Sequence, residues 1–320
     1  MPFSTELSIA VAAVRRAAEV CRNVQRAIPA AMEKQDKSPV TIADFASQAV
    51  ICRALGEAFP NDPIIGEEDS AELRQPENKS SLDGVQLELN RIGLNGSPEE
   101  ICRWIDRGGA NSFGPRFWTL DPIDGTKGFL RGEQYAVSLA LIVNGRIEVA
   151  ILGCPNLPLE PGGAADAGTI FFAVRDQGAS VQSCFGDSPA APVRVTSTSS
   201  WADVRLCESV ESGHSAHDRS AMISASLGIV KQPVRLDSQA KYAVVARGEV
   251  EIGFQQVSEL LPVPGIAFLG PLPDDIQQIT IFSAGMQVSA GHPDAAKALL
   301  DYITAPAAAP AIRKAGMEPA

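Results

Sequence analysis

The apolar positions Leu7, Ala10, Val11, Val14, Ala17, Ala18, Cys21, Val24 and Ile28 recur at helical spacing. That period puts them on one face and predicts a long amphipathic first helix, with Ser4 or Thr5 as its cap. A second helix is predicted from the run Asp36-Lys37-Ser38-Pro39-Val40-Thr41-Ile42-Ala43-Asp44 through Phe59. Thr41 and Asp44 have capping-box-like spacing, so on spacing alone Asp44 reads as a helix-start carboxylate. Phe59-Pro60-Asn61-Asp62-Pro63 is a turn. The apolar pair Ile64-Ile65 then leads directly into Gly66-Glu67-Glu68-Asp69-Ser70, as a buried strand would that ends in acids. Residues 71–115 are polar, with helical patches and glycines, and predict a loop-rich surface insert.

The pattern then turns to strands. Residues 116–120 are one. Residues 136–143 (Ala-Val-Ser-Leu-Ala-Leu-Ile-Val) and 146–152 are two more, joined by Asn144-Gly145, a strong hairpin signal. Residues 169–174 and 179–182 predict a second hairpin around Gly178, and residues 204–207 a further strand. Leu236-Asp237-Ser238-Gln239-Ala240-Lys241-Tyr242 reads as a strand leading into a capped helix. Pro- and Gly-containing stretches connect these elements without forming obvious linkers, and there is no internal repeat.

One stretch carries chemistry: Trp118-Thr119-Leu120-Asp121-Pro122-Ile123-Asp124-Gly125-Thr126-Lys127-Gly128-Phe129-Leu130. A short apolar run delivers two carboxylates, Asp121 and Asp124, to a proline-stiffened turn. Two close carboxylates are costly unless a cation sits between them. Oxygen ligands of this kind suit magnesium, which prefers carboxylates, carbonyls, water and substrate phosphate. The N–H groups of a helix start at Gly125-Thr126 would then face a phosphate.

Composition narrows the choice. The chain has 320 residues, 45% hydrophobic and 20% charged, the profile of an ordinary globular protein. Its net charge of -11, from 27 basic and 38 acidic residues, argues against non-specific nucleic-acid binding and acidic-membrane binding. An anionic small substrate is still allowed, because bound metal ions reverse the local field. No secretory signal and no apolar span of about 20 residues is visible. Cys21, Cys52, Cys102, Cys154, Cys184 and Cys207 are dispersed, with no C-x-x-C pair; reduced structural thiols and a cytoplasmic location are expected. The pattern leaves the oligomeric state open.

The central stretch resembles the signature of the inositol monophosphatase superfamily. Its Lys127-Gly128-Phe129-Leu130 ending is similar to the 3'(2'),5'-bisphosphate nucleotidase branch. The resemblance extends over residues 7–248 in at least five ordered segments. It implies a layered αβαβα sandwich: an α+β metal-binding half (1–153), then an α/β nucleotide-pocket half (154–248). Lys37-Ser38-Pro39-Val40-Thr41-Ile42-Ala43-Asp44 resembles a K-S-P-V-T-x-A-D run whose aspartate helps orient the attacking water. Gly66-Glu67-Glu68 matches a G-E-E motif whose first glutamate binds metal.

By the same resemblance Glu67, Asp121 and the Ile123 carbonyl hold a first magnesium, and Asp121 and Asp124 hold a second. Asp44 and Thr126 position the water, and the Gly125 and Thr126 N–H groups take phosphate oxygens. Glu208-Ser209-Val210-Glu211-Ser212-Gly213-His214-Ser215-Ala216-His217-Asp218 is similar to a run lining the nucleotide pocket, with His214 the matching residue. Read alone, this run is a solvated helix start. Ser238 and Lys241 match the nucleotide-contacting serine and lysine of an S-Q-x-K-Y segment, where a lysine suits a second phosphate as a point charge. The implied substrate is a phosphorylated nucleotide, adenosine 3',5'-bisphosphate or its sulfated form, losing its 3'-phosphate to direct attack by activated water. Alternatives are an inositol monophosphatase-type phosphatase, or a non-catalytic nucleotide- or solute-binding protein.

The likeness stops before the end of the chain. The family continues to a W-D-H-x-A-G segment whose aspartate completes the second metal site. Here the tryptophans are Trp104, Trp118 and Trp201, so that segment is absent. Residues 249–320 instead resemble the C-terminal part of molybdate-type transporter solute-binding proteins. Among the acids of this tail, Glu249 and Glu251 are expected on an exposed strand face and Asp294 at a helix start. Asp274 and Asp275 lie in a proline-flanked loop. No tail carboxylate is expected to complete the second site.

Overall fold

The computed structural model describes residues 2–27, 38–111, 114–164, 167–210, 217–253 and 293–319. It forms two compact units: residues 1–211 with 227–253, and residues 212–226 with 254–320.

In the first unit, α1 (Ser4–Ala27) and α2 (Ser38–Ala58) pack against each other and on a seven-stranded sheet. The strands are β1 (Ile64–Ile65), β2 (Arg116–Asp124), β3 (Ala136–Val143), β4 (Arg146–Cys154), β5 (Thr169–Val174), β6 (Ala179–Ser183) and β7 (Ala191–Val193), in sequence order across the sheet. β1 runs parallel to β2, and every later pair is antiparallel. The hairpin turns fall where the sequence places them. Asn144 and Gly145 both have positive φ, the backbone that a tight two-residue turn requires.

Strand alternation explains the layering. Val137, Leu139, Leu141 and Ile151 point into the core under α1 and α2, while Ala136, Leu152, Cys154 and Phe171 face the other way. That second face is covered by Ala240, Ala243 and Val244 of α7 (Ala240–Ala246). Beyond α7 lies a three-stranded parallel sheet ordered β10 (Ile252–Gly253), β8 (Leu206–Glu208), β9 (Val234–Arg235). This layered α/β sandwich is the fold class expected from the sequence.

Three expectations change. Residues 71–115 are mainly helical, with α3 (Lys79–Arg91) and α4 (Pro98–Asp106), and they bury Val85, Leu89, Ile101 and Ile105. The glycines and charges hid two short amphipathic helices. Ser4 is the first residue of α1 rather than its cap. α2 begins at Ser38, so Asp44 lies in its second turn and is no cap.

In the second unit, the described α-helices are α6 (His217–Leu227, whose last residue belongs to the first unit), α8 (Pro293–Ile303) and the short α9 (Ala309–Lys314). No described helix is long and apolar enough to cross a membrane. All six cysteines are free and buried.

Candidate active site

Pro122 cannot donate to a sheet ladder, so the β2–β3 pairing is interrupted between Asp121 and Asp124. Ser47 of α2 donates its hydroxyl to the Pro122 carbonyl at 3.1 Å, which fixes the irregular backbone from below. Gly125 follows with φ of +91°, and a Cβ there would stand 2.9 Å from the Cβ of Ser238. Glycine thus lets the Ser238 segment pack directly on the turn, before α5 (Thr126–Leu130) begins.

The same α2 face serves the other acidic segment. Gln48 accepts from the Glu68 N–H at 3.0 Å and donates to the Glu68 carbonyl at 2.5 Å. Asp44, Ser47 and Gln48 are spaced three and four apart, so one side of α2 addresses both chemical stretches.

The electrostatics follow from this crowding. Burial first, then Glu68, Glu67 and Asp121, push the Asp44 carboxyl up to about 9. Burial, Asp124 and Glu67 raise Asp121 to about 7, against a backbone hydrogen bond from Ile123 that lowers it. Glu68 is also raised, by burial and by Glu67, Asp69 and Glu72. Asp121 Oδ1 is buried and has no hydrogen-bond partner among the described residues. A buried acceptor left unmatched beside like charges is the environment that a divalent cation relieves. The carboxylates are in electrostatic reach but not gathered into a ligand cage: among the described residues no three histidine, cysteine, aspartate or glutamate side chains group closely enough to hold an ion.

Asp124 reaches a segment far along the chain. Its Oδ2 accepts from the backbone N–H of Gln239, 115 residues on, at the start of α7. Ser238 has a φ of +71°, and its hydroxyl accepts from Ala240 N–H at 3.3 Å. The helix expected after Asp237 is therefore present, and its first turn is tied to the central motif. Lys241 lies in that turn, close enough to Cys207 to act on its thiol, which burial raises to about 12. Thr126 is exposed, while Ile123 is buried at the strand end. His214 lies outside the described residues.

A second tie runs from Arg131, just past the end of α5, to the same segment. Asp237 accepts from Arg131 at 2.6 Å, from the Ser209 hydroxyl at 2.7 Å and from Val210 N–H at 3.2 Å. Burial alone would raise this carboxyl, but those hydrogen bonds hold it below its usual value. Sequence reasoning missed Ser47, Gln48, Arg131 and Asp237. Polar residues on a face of α2 that is otherwise apolar were the one signal for the first two.

The tail acids are partly corrected. Glu249 is half-buried and ion-paired with Arg247, and Glu251 accepts from Arg205 N–H at 2.6 Å, so neither stands on an exposed strand face. Sheltered hydrogen-bond donors draw both inward. Asp294 sits in the first turn of α8, as expected, while Asp274 and Asp275 lie outside the described residues.

Residues 4–258 match the inositol monophosphatase family, and the chain belongs to that family. Within it, the chain is 43% identical over 274 residues to the 3'(2'),5'-bisphosphate nucleotidase of Schizosaccharomyces pombe, covering 79% of this chain and 76% of that protein. It is 38% identical over 271 residues to 3'(2'),5'-bisphosphate nucleotidase 1 of Arabidopsis thaliana, covering 78% and 76%. The chain is thus a phosphatase-family enzyme of the nucleotidase type. Among solved structures, Mycobacterium tuberculosis SuhB is 19% identical with a TM-score of 0.49, covering 78% of each chain. Residues 224–318 also match a bacterial extracellular solute-binding protein family, a local likeness confined to the end of the chain.

Proposed function

We propose that this protein is a magnesium-dependent phosphomonoesterase that removes the 3'-phosphate from adenosine 3',5'-bisphosphate or its sulfated form, at a rate lowered by its replaced tail. One observation carries this reading: the crowded carboxylates around Asp121 Oδ1, which has no hydrogen-bond partner among the described residues, are joined through Asp124 to the Ser238 segment. An ion-demanding site and a candidate nucleotide pocket thereby share a wall.

The proposed roles follow the chemistry of each group. Glu67, Asp121, Asp124 and the Ile123 carbonyl offer hard oxygen ligands from two separated segments. Magnesium bound there would supply Lewis-acid stabilisation of phosphate charge and a lower pKa for water. Asp44, pushed up to about 9 without an ion, sits beside these acids and orients water through its carboxyl, with the Thr126 hydroxyl. The Gly125 and Thr126 N–H groups take phosphate oxygens. Ser238, Lys241 and His214 contact the nucleotide, Lys241 with its charge on the second phosphate. The division into a metal-bearing half (1–153), a pocket half (154–248) and a tail (249–320) belongs to the same proposal, as does a cytoplasmic location. With the family's last aspartate segment missing, the second ion is held weakly.

The test is phosphate release from adenosine 3',5'-bisphosphate and from inositol 1-phosphate, each with and without magnesium. Magnesium-dependent release from the nucleotide, at the higher kcat/KM, is expected. Lys241→Ala should raise KM for the nucleotide about tenfold, a loss of about 1.4 kcal/mol, and leave the inositol phosphate nearly unaffected. Equal losses for both substrates would reject the nucleotide assignment.

A further inference from the structure

Gln48 is fully buried in α2, and its described hydrogen bonds all go to backbone groups. Its Oε1 accepts from Glu68 N–H at 3.0 Å, while its Nε2 donates to the Glu68 carbonyl at 2.5 Å and to the Ile105 carbonyl at 3.0 Å. A single orientation of the amide satisfies all three groups, because the carbonyls need donors and the N–H needs an acceptor. By grasping both the N–H and the C=O of one residue, the side chain imitates a neighbouring strand and fixes the peptide planes on either side of Glu68.

Two glycines make room for this grip. A Cβ on Gly66 would stand 2.5 Å from Gln48 Oε1, and one on Gly108 would stand 2.7 Å from Gln48 Nε2. Neither glycine has the positive φ that would require glycine for backbone reasons. A side chain at either position would therefore have to displace the Gln48 amide. The loop is held again at its far end, where Ser70 N–H donates to Asp106 Oδ1 at 3.0 Å. Glu68, half-buried, is the residue gripped at the first tether, and Glu67, exposed, precedes it; the charges of both act on Asp44 and Asp121.

We propose that Gln48 is a positioning residue for cation binding: its amide holds the Glu67–Glu68 backbone so that the loop's carboxylates stand beside Asp44 and Asp121. The inference rests on the reading of these acids as a divalent-cation site. Gln48 touches neither ion nor substrate. Its effect passes through the shape of the loop, and removing it lets like-charged carboxylates move apart.

Gln48→Met keeps the volume and deletes all three hydrogen bonds. Val85→Ala, which opens a cavity in α3, is the control for lost stability. In metal-free Gln48→Met, amide exchange at residues 67–69 should accelerate at least tenfold over both wild type and Val85→Ala. The magnesium concentration for half-maximal binding by calorimetry should rise at least tenfold, while nucleotide KM at saturating magnesium changes less than twofold. If Gln48→Met does not fold, Gly108→Ala, which displaces the amide without deleting it, takes its place with the same two readouts. Unchanged exchange in the loop overturns the proposal whether or not the wild type binds magnesium. An unchanged magnesium midpoint, or an equal rise in Val85→Ala, overturns it as well. A wild type that binds no magnesium instead removes the cation-site reading, and the exchange readout still judges the tether.

Discussion

The first unit and the described part of the tail are held together in different ways. In the first, hydrogen bonds join residues far apart in sequence: Arg15 to Cys184, Ser47 to Pro122, Gln25 to Phe129, Asp124 to Gln239. In residues 293–319 the described side-chain bonds stay local, such as Lys297 to Asp301 and Thr304 to Leu300, and the ion pair Arg313 to Glu318 spans five positions. Leu299, Tyr302 and Ile303 of α8 are exposed. Long-range polar ties specify a unique arrangement of a site, whereas local ones support only the helix that contains them. A chemical site assembled from distant segments therefore belongs in the first unit.

The comparison is broken most severely by attacking the assembled site. Asp121→Asn should lower kcat for nucleotide hydrolysis by about 10³, roughly 4 kcal/mol of barrier, and abolish the rise in Tm on adding magnesium. A variant that keeps its magnesium-induced Tm shift would remove Asp121 from the site. The next largest effect comes from the tail. Replacing residues 248–320 with the family's own C-terminal segment should raise kcat by about 10², because one charge-stabilising element is worth about 3 kcal/mol. Equal rates for the two versions would mean that the native tail already completes the site.

A smaller effect sharpens the electrostatic side. Asp44 and Asp121 are raised to about 9 and about 7 in the metal-free fold, above an unfolded value of about 4. A raised folded pKa means that their contribution is fully present below about pH 4 and is lost as pH climbs through 7 and 9. The chelated protein should therefore lose melting temperature between pH 5 and pH 9, and magnesium should restore most of it at the alkaline end. A chelated protein equally stable across that range would contradict the crowding. Asp106 and Asp237, both held below their usual values, act in the opposite sense, but only in more acid solution. The smallest change is expected in the tail: Lys297→Ala removes an exposed pair with Asp301 and should alter stability by less than about 0.5 kcal/mol in a urea titration.

Much of this molecule is visible in the one-dimensional pattern. The apolar period of α1, the Asn144-Gly145 turn and the alternation along β3 and β4 are local consequences of backbone geometry, and each lies where its residues predict it. Asp121, Asp124 and Gly125 could be singled out because a proline-stiffened pair of acids next to glycine is a local feature too. Residues 71–115 show only helical patches in the sequence because α3 and α4 are short and rich in charge, so their apolar stripes span few turns.

What only the tertiary structure decided is which distant groups meet. No spacing announces that Asp124 takes the N–H of Gln239, or that Asp237 gathers Arg131 and Ser209. Nor does it announce that a glutamine in α2 holds the loop bearing Glu67. Sequence by itself determined the elements and the acids available for chemistry, because helix and strand periods are set within a few residues. The partners were decided by the packing of layers, because burial forces each polar group to find a donor or acceptor wherever in the chain one comes within reach.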